Sequence, residues 1–281
     1  MTSMKRASLI HQERGVRSGF TIIETVLFLG ITGLMIATMF IGIGSTVGAQ
    51  RYRDSVESFK ATLQQQYSEV VNTYNDRTSQ WACTPNGDTV TVTPVSSGTP
   101  RGQAQCVVLG KYMTIRGGDI STRTVIAWRP AAMPTDTDTD DITILRDRYS
   151  LGVSPIDAVD TSLEWGTAIT WPKGTNPQDR GTGQRSMAML VVRSPESGSI
   201  YTFTGNTVPV TDEPSGEQLK ALIQDNTTNP TEPGRAKRLI CVDSSGIVLT
   251  PNRGIYIESQ AADSSAVRVA LPDDFNGSEQ C

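Results

Sequence analysis

From Thr25 to Gln50 the chain carries 26 consecutive residues without a charge. At about 1.5 Å per residue, roughly 20 apolar residues cross the hydrocarbon core of a bilayer, so this segment is long enough to span one as a helix. The flanks set its direction. Residues 1–19 hold Lys5, Arg6, Arg14 and Arg17 against the single acid Glu13, whereas Arg51 and Arg53 lead into a long, acid-leaning remainder. Basic flanks stay on the cytoplasmic side, which predicts a cytoplasmic amino end and an exported carboxyl part. A secretory signal peptide has an apolar region of about 7–15 residues followed by a small-residue cleavage site. The run here is longer and continues into a patterned segment, which argues against such a peptide.

Beyond Gln50 the apolar residues become periodic. Tyr52, Val56, Phe59, Leu63, Tyr67, Val70 and Tyr74 recur at spacings of three and four, with Arg53, Asp54, Glu57, Lys60, Gln64, Gln65 and Glu69 between them. That is one face of a helix. With no proline from residue 20 to 77, the pattern predicts one helix of about 55 residues, roughly 80 Å long. Residues 20–50 are apolar all round, which suits lipid or a surrounding of other apolar helices. Residues 51–78 are amphipathic and hold a head domain along one side. Gly30, Gly33, Gly42, Gly44 and Gly48 each weaken the first half by about 1 kcal/mol relative to alanine. They suit either close helix–helix approach or a stretch that can melt and extend.

After Asn75 the texture changes. Hydrophobic residues make up 37% of the chain and charged ones 19%, with 25 glycines and 15 prolines. Both fractions fall below the usual values of about 45–50% and 25%, as suits a turn-rich β domain rather than a helical bundle. Strand-favouring runs occur at Thr89–Val95, Gln105–Ile115, Thr122–Trp128, Ser186–Arg193, Ser199–Thr204, Arg238–Val242, Gly246–Thr250, Gly254–Glu258 and Ala266–Leu271. Turn signals such as Asn86-Gly87, Gly117-Gly118, Ser197-Gly198 and Ser245-Gly246 separate them. Residues 130–141, 153–185 and 206–237 read as surface loops, with one short helix at Glu217–Gln224. The predicted class is α+β: one long amino-terminal helix packed on an antiparallel β-rich head, residues 79–281.

Glu24 is an acid at the start of the apolar run. A carboxylate in hydrocarbon costs roughly 2.5–3.5 kcal/mol or more, so it needs a partner. Its surroundings, Arg17-Ser18-Gly19-Phe20-Thr21-Ile22-Ile23-Glu24, combine a basic leader, a glycine, a phenylalanine and an acid at the fifth position after that glycine. This string resembles the signature of type IV prepilins. The resemblance covers residues 14–75, about a fifth of the chain. It implies a leader over residues 1–19, cut by a prepilin peptidase between Gly19 and Phe20, with methylation of the new amino terminus. It also implies that Glu24 neutralises the α-amino group of Phe20 in a neighbouring subunit and fixes axial register. The run Arg238-Leu-Ile-Cys-Val-Asp followed by Gly246-Ile-Val-Leu-Thr resembles minor-pilin heads of tip complexes.

The exported part holds four cysteines, Cys83, Cys106, Cys241 and Cys281, which allow three pairings. They lack the CxxC spacing of zinc ribbons and thioredoxin-like sites. Neighbours in sequence suggest Cys83–Cys106 and Cys241–Cys281, and pilins commonly close a carboxyl-terminal loop as the second pair would; buried free thiols are the alternative. Asp136, Asp138 and Asp140 sit at positions 1, 3 and 5 of a calcium-loop pattern with Asp147 at position 12. Position 6 is Asp141 rather than glycine, so an acidic solvated loop is favoured and no cofactor is expected. Arg235, Lys237 and Arg238 form the densest basic cluster for DNA, although three or four phosphate contacts bind weakly and an ordinary solvated face is favoured. Trp81, Trp128, Trp165 and Trp171 are candidate stacking residues, with core packing the commoner role of sheet tryptophans.

The lone histidine, His11, falls within the expected leader. Without it no Ser-His-Asp or His-ligated zinc chemistry is available, so no enzyme activity is expected. The resemblance implies a minor or tip-proximal pilin, first a single-pass protein of the cytoplasmic membrane and then part of an extracellular filament. Its partners would be lipid, the peptidase, the pilus assembly platform and other pilins through residues 20–50, with a surface ligand or DNA at the head. Adhesion, twitching motility and DNA uptake are the roles implied. The alternatives are a type II secretion pseudopilin and, from a different class, a non-polymerising membrane-tethered binding domain or enzyme, for which Asp157 and Asp160 are a candidate acid pair.

Overall fold

A computed structural model of the chain describes residues 19–72, 81–95, 106–129, 140–170, 186–205, 210–223, 238–243, 253–270 and 281. Helix α1 spans Ile22–Val71. Its start is set by Thr21, whose hydroxyl accepts the Glu24 N–H at 3.3 Å and whose carbonyl accepts the Thr25 N–H at 3.1 Å, an amino-terminal cap. The further turns expected up to residue 77 lie outside the described residues. The chain divides into two compact units, one ending at Val47 and the other beginning at Gly48.

In the first unit the described residues are helical from Ile22 on, including Gly30 and Gly33. Nothing lies within 4 Å of where a Cβ would sit at Gly30, Gly33, Gly42 or Gly44. Its hydroxyls turn inward on the backbone: Thr32 donates to the Phe28 carbonyl, Thr38 to that of Met35, and Ser45 and Thr46 to that of Gly42, all within 3.0 Å. Polar groups satisfied within the helix suit an apolar surrounding.

In the second unit α1 contributes one buried face: Tyr52, Val56, Phe59, Leu63, Tyr67 and Val70. Gly48 is also buried. The face meets two sheets built from β1 (Trp81–Asn86), β2 (Thr89–Pro94), β3 (Val107–Arg116), β4 (Asp119–Trp128), β5 (Ser150–Ser162), β6 (Ala168–Ile169), β7 (Ser186–Arg193), β8 (Ile200–Gly205), β9 (Arg238–Asp243), β10 (Arg253–Ile257) and β11 (Val267–Val269). Seven strands run in the order β1-β2-β5-β4-β3-β7-β8 and four in the order β11-β10-β9-β6. All described pairings are antiparallel except β2 with β5, which are parallel.

The periodic face of α1 clusters with Met113, Ile115, Met187 and Met189 of the larger sheet and with Ile240, Val242, Ile255 and Ile257 of the smaller one. The opposite face of the larger sheet, with Leu109, Tyr112, Val125, Leu190 and Phe203, packs on two short helices, α2 (Asp141–Asp147) and α3 (Gly216–Leu222). Helix α3 starts at a capping box in which Ser215 and Gln218 each bond the other's backbone N–H. Close backbone approach requires glycine at Gly152, among other positions. A Cβ on Gly152 of β5 would lie 2.0 Å from the Val90 carbonyl oxygen of β2.

Strands expected at Thr89–Val95, Gln105–Ile115, Thr122–Trp128, Ser186–Arg193, Ser199–Thr204, Arg238–Val242, Gly254–Glu258 and Ala266–Leu271 are present with ends shifted by up to three residues. Gly246–Thr250 lies outside the described residues. The loop expected over 153–185 is corrected: its start belongs to β5, at 13 residues the longest described strand. Four of its residues, Pro155 to Ala158, face the single Arg123 of β4, and Asp157 adopts φ 60°. This large bulge breaks the alternation by which a strand is recognised. Strands β1 and β6 and helix α2 were also unexpected. β1 carries Pro85 and lies at a sheet edge, where a missing N–H is tolerated.

Tyr52 ties α1 to both central strands of the smaller sheet. Its hydroxyl donates to the Val242 carbonyl at 2.6 Å and accepts the Arg253 N–H at 2.5 Å. Tyr52→Phe keeps the ring and orphans both backbone groups, so the head should lose about 1–3 kcal/mol, measurable as a lower urea midpoint at unchanged slope.

Candidate functional site

Gly19 and Phe20 precede the capped start of α1, and Glu24 lies in its first turn. Phe20 is 77% exposed. Glu24 is exposed among Ile22, Ile23, Val26 and Leu27, which are exposed too. Among the described residues no cation pairs with its carboxylate. The site is therefore an anion one helical turn from a peptide bond that lies outside the helix, on a surface that is otherwise apolar. Such an anion attracts a cation far more strongly once water is excluded. The bond itself, between Gly19 and Phe20, is in non-helical backbone. Residues 1–18 lie outside the described residues.

In the head, Cys83 pairs with Cys106 and Cys241 with Cys281, at Cα separations of 6.2 and 5.4 Å. The first pair joins β1 to the start of β3 beside Val90, Val92 and Ile126; the second fastens Cys281 against Leu239, Tyr256 and Ala270.

The two described members of the calcium pattern stand at opposite ends of α2. Asp140 caps it by accepting the Thr143 N–H at 2.9 Å, and Asp147 binds Arg146 at 2.8 Å. Asp136 and Asp138 lie outside the described residues, as do Arg235 and Lys237 of the basic cluster. Arg238 lies in β9, its Nε donating to the Thr204 hydroxyl at 3.2 Å. Several other arginines of the head are paired with acids: Arg116 with Asp212, Arg123 with Asp160, Arg129 with Glu196 and Arg146 with Asp147. Arg146 lies in the last turn of α2 and Arg148 is its carboxyl-terminal cap. Asp160, of the candidate acid pair, is held by Arg123 and Ser121, while Asp157 occupies the bulge. Trp81 and Trp128 are half-buried against the Cys106 cluster. Trp171 lies outside the described residues, and Trp165 is 49% exposed.

A groove of about 310 Å³ runs between α1 and strands β4 and β5, lined by Ser58, Thr62, Gln66, Thr122 and Thr161. The Gln66 Oε1 there is buried without a hydrogen-bond partner. Sequence reading missed this groove because it depends on the unexpected course of β5. Asp212 was missed as well: it accepts from Thr114 at 2.5 Å and binds Arg116, joining the loop before α3 to β3.

These carboxylates make stability depend on pH. Burial opposes ionisation of Asp141 and Asp212. Hydrogen bonds from Ser194, Ser197 and Tyr201 to the first, and from Thr114 and Arg116 to the second, outweigh it and leave both below the ordinary 3.8. Asp147 and Asp160 are lowered chiefly by Arg146 and Arg123. A lowered folded-state pKa gives stability that is complete above the ordinary value and lost as pH falls through the folded one. Burial raises Tyr52, Tyr67 and Tyr112 from 10.0 to about 12, the opposite sign, so their contribution is lost as pH rises above 10.0. The head's melting temperature should be flat through the neutral range and fall both below about pH 4 and above about pH 10.

No protein-family model, curated protein or solved structure matches the chain.

Proposed function

We propose that the chain is a pilin-like structural subunit, minor or tip-proximal, whose apolar helix first anchors it in the cytoplasmic membrane and then packs into the core of a surface filament. The observation that carries this reading is the change of exposure along α1. Large apolar side chains from Phe20 to Val47 are exposed, whereas Tyr52 to Val70 bury one face in the head. Exposed apolar surface in water costs about 25 cal/mol per Å², so the first half requires lipid or other helices around it. A purely lipid-bound anchor has no use for Glu24. A helix that exchanges lipid for neighbours does, since the α-amino group of a processed Phe20 is a cation of matching depth. The work of such a subunit is mechanical and recognitional, and adhesion, twitching motility or DNA uptake would follow from what the head meets.

The test is the composition of filaments sheared from cells and separated from membranes. The chain should be present in them as a polypeptide beginning at Phe20. Recovery only in the membrane fraction, as a detergent-extractable monomer, would favour a tethered exported domain. Recovery with a secretion complex in place of sheared filaments would assign it to a pseudopilus.

A further inference from the structure

Arg51 is the first charge after the uncharged run. When residues 25–50 span the bilayer, its guanidinium stands at the level of the lipid headgroups. The head sets a tryptophan against it. The Cζ of Arg51 lies 4.6 Å from the centre of the Trp165 ring, which shares that level. Trp165 occupies a one-turn segment, Glu164–Gly166, and adopts φ 60°, a backbone region that a bulky side chain avoids. Among the described residues its ring belongs to none of the apolar clusters of the head, and it stays 49% exposed.

The segment is nevertheless held firmly to α1. The Ser55 hydroxyl donates to the Glu164 carbonyl at 3.1 Å and lies 2.6 Å from the Thr167 hydroxyl, and the Thr167 N–H returns to the Glu164 carbonyl at 3.3 Å. A clamped turn thus displays an indole outward beside a guanidinium, in a conformation that costs stability. Strain that the surrounding structure enforces marks positions kept for a task other than packing. An indole with an apolar body and one N–H donor suits the boundary between acyl chains and headgroups, where tryptophan is enriched. Arg53 is exposed nearby in sequence, but so are Asp54 and Glu164, so the ring, rather than net charge, carries the attachment.

We propose that Trp165, stacked on Arg51, is an interfacial anchor that seats the head on the lipid headgroup layer before the subunit enters a filament. The inference rests on the membrane-spanning reading of residues 25–50. The test uses the full chain in phosphatidylcholine liposomes, with a nitroxide placed either on the headgroup or deep on the acyl chain, and reads tryptophan fluorescence. The wild type should show a component quenched more by the headgroup label than by the deep label, and Trp165→Phe should lose it. Trp165→Gly guards against misfolding, because glycine accepts the positive φ without strain; it should melt no lower than wild type and lose the same component. Equal quenching of all three proteins that float with the liposomes would overturn the anchor and leave the membrane span standing. Failure of the wild type to float would remove the span, and the anchor with it.

Discussion

Glu24→Gln is expected to abolish incorporation into filaments while leaving the helix, membrane insertion and processing intact. The substitution preserves shape and the N–H that bonds Thr21. It removes only the charge, and a neutral amide enters a bilayer more readily than a carboxylate. In the proposed filament core the loss would fall on the neighbour, whose Phe20 ammonium would be left without an anion. Removing one partner of a buried pair costs about 3–5 kcal/mol, which is a hundredfold or more in the equilibrium for adding a subunit. Glu24→Asp keeps the charge on a shorter stem and should recover part of the incorporation. Quantifying each variant in sheared filaments against its membrane pool reads the effect. Wild-type incorporation of Glu24→Gln would show that the carboxylate has no assembly role.

Phe59→Ala should destabilise the head core strongly. Phe59 is 1% exposed and clusters with side chains of both sheets. Truncating a buried phenylalanine costs about 3–5 kcal/mol. For a unit of this size that lowers the melting temperature by roughly 6–20 °C. Phe40→Ala is the internal control. Phe40 lies in the first unit and is 71% exposed, so the same change there should leave head melting as it was. A similar drop from both variants would mean that the two units do not divide at Gly48 in solution.

How legible these features were in the sequence depended on how regular each pattern is. Tyr52 to Val70 could be read because one buried helical face repeats every three or four residues, and Ser186–Arg193 because a continuous apolar run between turn signals can be little else. Strand β5 could not. Its Pro155 and Asp157 belong to a bulge, and Asp157, Val159 and Asp160 are exposed, so no alternation survives. Helix α2, of seven residues, is too short to show a period and is defined by its Asp140 cap. The spacing of Gly19, Phe20 and Glu24 is a local pattern that needs no tertiary fold, and the processing and assembly roles assigned to it belong to the proposed function. Trp165 was visible only as a tryptophan. Its pairing with Arg51 arises from chain segments more than a hundred residues apart, which no local pattern encodes.

The most direct measurement is mass spectrometry of the mature amino terminus, in native cells and in cells lacking the prepilin peptidase. A pilin-like subunit should begin at Phe20, carry one added methyl group, and retain its leader when the peptidase is absent. An intact Met1 or Thr2 terminus in native cells, or a cut after Gly48 or Ala49, would contradict the assembly reading and leave a tethered or secreted β-domain.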